Sequence, residues 1–106
     1  MHRILGPGLL ESIYEEALCI ELSLQNICFE RQKEINVIYK GNAIKGQRID
    51  LLVEGKLVVE LKSVSNLPEV ATAQTLSYLK ATGLKRAILI NFGEYRLIQG
   101  VKRISL

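Results

Sequence analysis

The chain has no tryptophan, one histidine, two cysteines and two prolines, and these scarcities narrow what it can be. Cys19 and Cys28 lie nine positions apart and form neither a C-x-x-C pair nor a cluster with histidine. A zinc site or a disulfide framework is therefore not expected, and a reduced, cytoplasmic setting is. Long apolar runs are missing too: stretches such as "AILI", from Ala87 to Ile90, fall far short of the ~20 residues that span a bilayer. Met1 is followed by His2 and Arg3 rather than by a signal-peptide pattern. There is no internal repeat, low-complexity segment or linker.

What is present is the composition of one folded unit. With 106 residues, the chain has room for one core and no second domain of typical size. Hydrophobic residues at 48% and charged residues at 24% exclude a disordered or fibrous chain. A net charge of +3 and a pI near 9.0 permit anionic partners without requiring them.

In "GPGLLESIYEEALCIELSLQN", Leu10, Ile13, Ala17, Ile20 and Leu24 recur at spacings of three and four, which predicts an amphipathic helix with Pro7 in its first turn. After Asn26 the pattern alternates, with Ile35, Val37 and Tyr39 on one side, and Gly41-Asn42 signals a turn. A second strand is expected from about Ile44 to Val53 and a third from Leu57 to Val64, joined across Glu54-Gly55-Lys56. "NLPEVATAQTLSYLKATG" returns to helical spacing, with Asn66 as N-cap, Pro68 in the first turn, a stripe of Val70, Ala73 and Leu76 or Ser77, and Gly83 as the stop. "RAILINFG" reads as a strand buried on both faces and "YRLIQGVKRISL" as weaker strand. A strand, a helix and a buried strand make a crossover, so strands three and four should be parallel. The expected fold is one α/β domain with a mixed sheet: a helix, a three-stranded antiparallel meander, a crossover helix and further strands.

The hairpin "RIDLLVEGKLVVELKSV" carries the chemistry. Strand alternation puts Asp50 with Arg48 and Leu52 on one face, and Glu60 with Val58 and Lys62 on one face of the next strand. A three-residue turn sets Asp50 opposite Glu60 and keeps Ile49, Leu51, Val53, Leu57, Val59 and Leu61 together on an apolar face. A two-residue turn would send the carboxylates to opposite sides. Like charges directly opposed destabilise a sheet. A divalent cation such as Mg²⁺, which takes carboxylate and carbonyl oxygens, removes that penalty, and a lysine two residues on can act on the same water or phosphate. Solvated residues on an exposed hairpin face would account for each charge singly but poorly for their joint placement.

Asp50, nine intervening residues and Glu60-Leu61-Lys62 resemble the motif of the PD-(D/E)XK nuclease superfamily. Gln74 and Tyr78, at i and i+4 on the following helix, resemble the Q-x-x-x-Y pattern of its RecB-like members. Gly8-x-x-Glu11-x-x-Tyr14 in "GLLESIY" is similar to the signature of the GxxExxY family within that superfamily, and "YLKATGLKRAILINFG" resembles that family's C-terminal half. The resemblance covers essentially the whole chain. It implies a restriction-endonuclease-like core over residues 1–106 and metal-dependent hydrolysis of phosphodiester bonds in nucleic acid, DNA being the expected substrate. The family has a further helical segment before its "GPG" stretch, which this chain is expected to lack. A homodimer or partner protein would then cover the N-terminal surface.

Residue by residue, the resemblance implies that Asp50 and Glu60 bind Mg²⁺, with Mn²⁺ able to substitute and the main-chain carbonyl of Leu61 as a further ligand. Lys62 would orient or deprotonate the attacking water or stabilise charge at phosphorus. Glu11, one or two turns into the first helix, would be an additional ligand or else an acid favoured by the helix dipole, with Glu15 as its substitute. Gln74 would hold the scissile phosphate or the metal's water, and Tyr78 would support Lys62 or the backbone. Tyr14 reads as core, and His2 matches the family's histidine. Lys33, Lys45, Arg48, Arg86, Arg96, Lys102 and Arg103 are scattered cations available to phosphates. The rival readings are a nucleic-acid-binding module without turnover and a protein-interaction subunit. No long insertion is present to give strong sequence specificity.

Overall fold

Glutamates alternating with apolar residues from Glu11 to Leu24 wind into helix α1 (Glu11–Leu24). In the computed structural model, which describes residues 5–6, 9–65, 67–93 and 100–106, α1 closes with Asn26 in the left-handed region at φ 58°. The Ile27 N–H then reaches back to the Leu22 carbonyl at 2.9 Å and the Asn26 N–H to Ser23 at 3.1 Å, so the last orphan carbonyls are satisfied. Expectations for His2, Pro7, Gly8, Asn66 and Arg96, and for residues 95–99 of the last strand, lie outside the described residues.

The buried face of α1 is not the expected stripe. Tyr14, Glu15 and Cys19 are buried and Leu18 and Leu22 pack beside them, whereas Leu10, Ile13, Ile20 and Leu24 are between 47% and 74% exposed. The helix is apolar on two sides, and spacing alone does not choose between them. The ring of Tyr14 does, stacked on Phe92 with centroids 4.4 Å apart. Its hydroxyl donates to the Gly6 carbonyl and accepts from the Leu9 N–H.

Strands β1 (Phe29–Tyr39) and β2 (Asn42–Val53) run antiparallel. Lys40 and Gly41 join them at φ 47° and 80°, a two-residue turn one position earlier than Gly41-Asn42. β2 pairs antiparallel with β3 (Leu57–Lys62), and Val53 stands opposite Leu57, as the three-residue turn Glu54-Gly55-Lys56 requires. Helix α2 (Glu69–Thr82) crosses over to β4 (Arg86–Asn91), parallel to β3, and β5 (Val101–Ser105) pairs antiparallel with β4. Among the described residues the sheet order is β1-β2-β3-β4-β5.

Pro68 is the N-cap of α2 rather than a first-turn residue, and Gly83 ends it at φ 76° with its N–H on the Leu79 carbonyl at 2.9 Å. The face of α2 is also one position away from the expected stripe. Ala71, Thr75, Tyr78 and Leu79 are buried, while Val70, Ala73 and Ser77 are exposed. Thr75 tolerates burial because its hydroxyl donates to the Ala71 carbonyl at 2.9 Å.

The sheet separates two apolar layers. Ile35, Leu52, Val58 and Leu89 pack with α2, and Leu51, Val59, Leu61 and Phe92 pack with Tyr14 and Cys19 of α1. Ile49 departs from expectation: it joins the α2 layer, not that of Leu51. The pairs Arg31↔Leu51 and Lys33↔Ile49 keep one register, but between them Gln32 sits at φ 50°. A left-handed residue interrupts the pleat, and side chains above and below it change layers.

Candidate active site

The β2–β3 ladder ends at Leu51↔Val59, and the next two positions are Asp50 and Glu60. Beyond that point side chains take over from main-chain pairing. The Asp50 N–H donates to Glu60 Oε1 at 3.1 Å and the Leu61 N–H donates to Asp50 Oδ2 at 2.7 Å. The sheet therefore forks at two carboxylates that share a side.

Glu60 is only 4% exposed. Burial first, and the Asp50 charge second, push its pKa up to about 8 against the relief given by the Asp50 N–H and Lys62. Burial and the Asp50 charge thus favour the protonated form of Glu60, which a cation would oppose. Lys62, two residues on, pairs with Asn91 across β3–β4, and its carbonyl accepts from the Phe92 N–H at 2.7 Å. Leu61 is buried with its side chain in the α1 layer.

Glu11 is the first residue of α1 rather than one or two turns inside it. Partial burial raises its pKa, Lys62 lowers it, and Asp50 and Glu15 raise it, so its carboxyl lies in the field of the same groups while one side meets solvent. Among the described residues, however, no three His, Cys, Asp or Glu side chains gather closely enough to hold a metal ion.

Helix α2 brings Tyr78 into the field of Glu60 and Asp50 and holds Gln74, one turn earlier, exposed to solvent. Gln74 is exposed, and no hydrogen bond joins it to the carboxylates among the described residues. Tyr78 is 6% exposed, and its hydroxyl donates to Gln47 Oε1 at 3.3 Å rather than to Lys62 or the backbone. Burial raises its pKa first, then the charges of Glu60 and Asp50.

Three residues with no assigned part in the sequence reading complete the surroundings. Gln32 Nε2 donates to Glu15 Oε1 at 2.6 Å and to Asp50 Oδ1 at 3.3 Å. Arg31 clamps Glu15 and Glu16, each at 2.9 Å. Glu15 on α1 is thus linked through the Gln32 side chain to Asp50. Asn91, fully buried, accepts from the Val64 and Gly93 N–H groups and donates to the Val64 carbonyl, each at 3.0 Å. That bracket fixes the chain just after Lys62. Gly93 allows the approach, since a Cβ there would lie 2.0 Å from the Val64 carbonyl oxygen.

The pair suits a hard divalent cation: two carboxylates, one of them buried, whose mutual repulsion positive charge would relieve. A meander, a crossover helix and a parallel strand, with this pair at the fork, define a restriction-endonuclease-like core. The model of the PD-(D/E)XK nuclease superfamily matches residues 1–104, and the chain belongs to that superfamily. No curated protein matches it. Among solved structures it is similar to one titled "Crystal structure of SSO0001", with a TM-score of 0.65 and 24% identity over 89% of this chain and 48% of that one. The likeness shows the fold, and the chain spans about half the length of that protein.

Proposed function

We propose that the chain is a Mg²⁺-dependent nuclease of the GxxExxY family, hydrolysing phosphodiester bonds of DNA, with Mn²⁺ able to replace Mg²⁺. The observation that carries this reading is the fork itself: Asp50 faces a buried Glu60, with the Asp50 N–H on Glu60 Oε1 and the Leu61 N–H on Asp50 Oδ2. Asp50 and Glu60 would hold the cation, with the Leu61 carbonyl and Glu11 as further ligands. When bound, the cation supplies Lewis-acid stabilisation of phosphate charge. Lys62 orients or deprotonates the attacking water and balances charge at phosphorus. Tyr78 fixes the α2 side of the site through Gln47, and Gln32 holds Asp50 from the α1 side.

Gln74 enters this reading only through a phosphate that approaches from solvent. Its exposure, with the lack of a three-residue metal cluster among the described residues, favours as a second reading a nucleic-acid-binding module without turnover. The exposed stripe of α1 supports a homodimer or partner protein covering the N-terminal surface. Two free cysteines support a cytoplasmic setting, and no helix among the described residues is long and apolar enough to cross a membrane.

The test is a panel of single-stranded, duplex and branched DNA and RNA, incubated with wild type and Lys62→Ala in Mg²⁺, Mn²⁺ or chelator. Metal-dependent cleavage by wild type alone is expected. Equal cleavage by both proteins would point to a contaminant, and binding without cleavage would favour the second reading.

A further inference from the structure

Residues 36–48 are exposed without interruption, although nearly all of them lie in β1 or β2. The segment holds Lys40, Lys45 and Arg48 and no acidic residue. Its charge of +3 equals that of the whole chain, because the other eleven basic and eleven acidic residues cancel. All of the net charge thus resides on one projection.

That projection starts at the fork. β2 leaves β3 above Leu51, whereas β1–β2 pairing continues from Lys33↔Ile49 to Tyr39↔Asn42. The two-stranded arm therefore starts beside Asp50 and, followed along β2 to Asn42, has a contour of about 27 Å at ~3.4 Å per residue, with Asn36 and Ile38 bordering a cavity beside Ala81, Thr82 and Leu84 at the end of α2. Ile35 and Ile49 root the arm in the α2 layer. A bulge between Ile35 and Val37, beside Gly46 at φ 115°, twists it. Val37, Ile38, Tyr39 and Ile44 are 40–67% exposed along it, and Lys40 Nζ lies 5.5 Å from the centroid of the Tyr39 ring.

An isolated two-stranded ribbon is marginally stable in water, and this one carries apolar side chains that the core does not use. Its occupant must offer both negative charge and flat apolar surface. A polyanion of stacked bases offers both. We infer that the arm is the nucleic-acid grip of the protein, Lys40, Lys45 and Arg48 meeting backbone phosphates and Tyr39 packing on sugar or base. The inference rests on the nuclease reading of the fork: a strand lying at Asp50 and Glu60 runs past the arm. At 3.4 Å per phosphate the arm accompanies about eight nucleotides of one duplex strand. A two-stranded ribbon also has the width of a major groove.

The experiment compares wild type with Lys40→Gln/Lys45→Gln/Arg48→Gln and with an equal-charge control, Lys56→Gln/Lys80→Gln/Lys85→Gln. The control lysines lie at the end of the sheet away from Lys62. Fluorescence anisotropy of a labelled duplex and of its single strand is measured in chelator across a salt series, with light scattering and thermal melts alongside. The arm variant should melt like wild type, lose about tenfold or more in affinity and show a flatter salt dependence, while the control stays within about threefold of wild type. Equal loss in both variants, no loss in the arm variant, or an arm that governs only self-association would overturn the inference. Wild type that binds through the arm but never cleaves in Mg²⁺ or Mn²⁺ would instead overturn the nuclease reading and leave the grip standing.

Discussion

Asp50 and Glu60 are laced crosswise: the N–H of Asp50 goes to the Glu60 carboxylate, and the Asp50 carboxylate takes the N–H of the residue after Glu60. The two side chains close the end of the β2–β3 ladder that main-chain groups would otherwise close. They are at once structural and, in the proposed reading, ligands. A cation that claims them must compete with these hydrogen bonds and with a proton.

The proton sets a pH dependence. The folded pKa of Glu60, about 8, lies above its ordinary value of 4.5. Protonation therefore favours the folded state, and its contribution is full below about pH 4.5 and lost as pH rises through about 8. Melts in chelator should show stability falling across that window by roughly a few kcal/mol. Glu60→Gln should flatten the slope, and an unchanged slope would remove Glu60 as its source.

Mg²⁺ or Mn²⁺ should reverse that loss. At about a hundredfold excess over Kd, binding adds roughly 2–3 kcal/mol, or roughly 10 °C in Tm for a domain of this size. The gain should grow with pH as the competing proton leaves, and Asp50→Asn should shrink it. Equal melting temperatures with and without Mn²⁺ at high pH would speak against a metal site.

Gln32→Gly separates fold from site. Glycine accepts φ 50° without strain, which offsets about 1 kcal/mol of the lost hydrogen bonds. The Tm should therefore change little, while Mn²⁺ affinity falls about tenfold because Asp50 and Glu15 lose their link. Gln32→Ala should lose both. Calorimetric titration with Mn²⁺ beside thermal melts reads the two effects separately.

Asn91→Ala removes three hydrogen bonds from a buried side chain to Val64 and Gly93, costing about 3 kcal/mol. Gly93→Ala should cost more, because its Cβ meets backbone at Val64 that cannot move aside cheaply. Chemical denaturation checks both, and a neutral Gly93→Ala would mean that the chain after Lys62 is not bracketed.

Ile20→Lys/Leu24→Lys on the outer face of α1 should change monomer stability by only about 0.5 kcal/mol. The same pair should abolish any self-association seen by light scattering. A large drop in Tm would show that this face packs against the protein's own core.

The turn length, the opposition of Asp50 and Glu60 and the parallel β3–β4 crossover were legible because burial penalises a one-residue slip on every apolar residue of the hairpin. The working faces of both helices were not. α1 offers two apolar sides, and Tyr14 chooses through a residue 78 positions away, Phe92. α2 buries Ala71 and Thr75, which no hydrophobic pattern marks. Gln74 and Tyr78 share a helical spacing, but only Tyr78 lies on the buried face. Gln32 and Ile49 were hidden for a common reason: a left-handed glutamine inside a strand has no signature in residue type, yet it decides which layer each neighbour enters.

That reversal at Gln32 makes β1 behave as two short strands in series. Residues before it answer to the α1 layer, and residues after it to the α2 layer and the arm. A deletion or insertion beyond Ile35 can lengthen, shorten or re-twist the arm without shifting Phe29 or Arg31, since the mismatch is absorbed before it reaches the fork. The length of the arm is therefore decoupled from the spacing of Asp50, Glu60 and Lys62 within this chain.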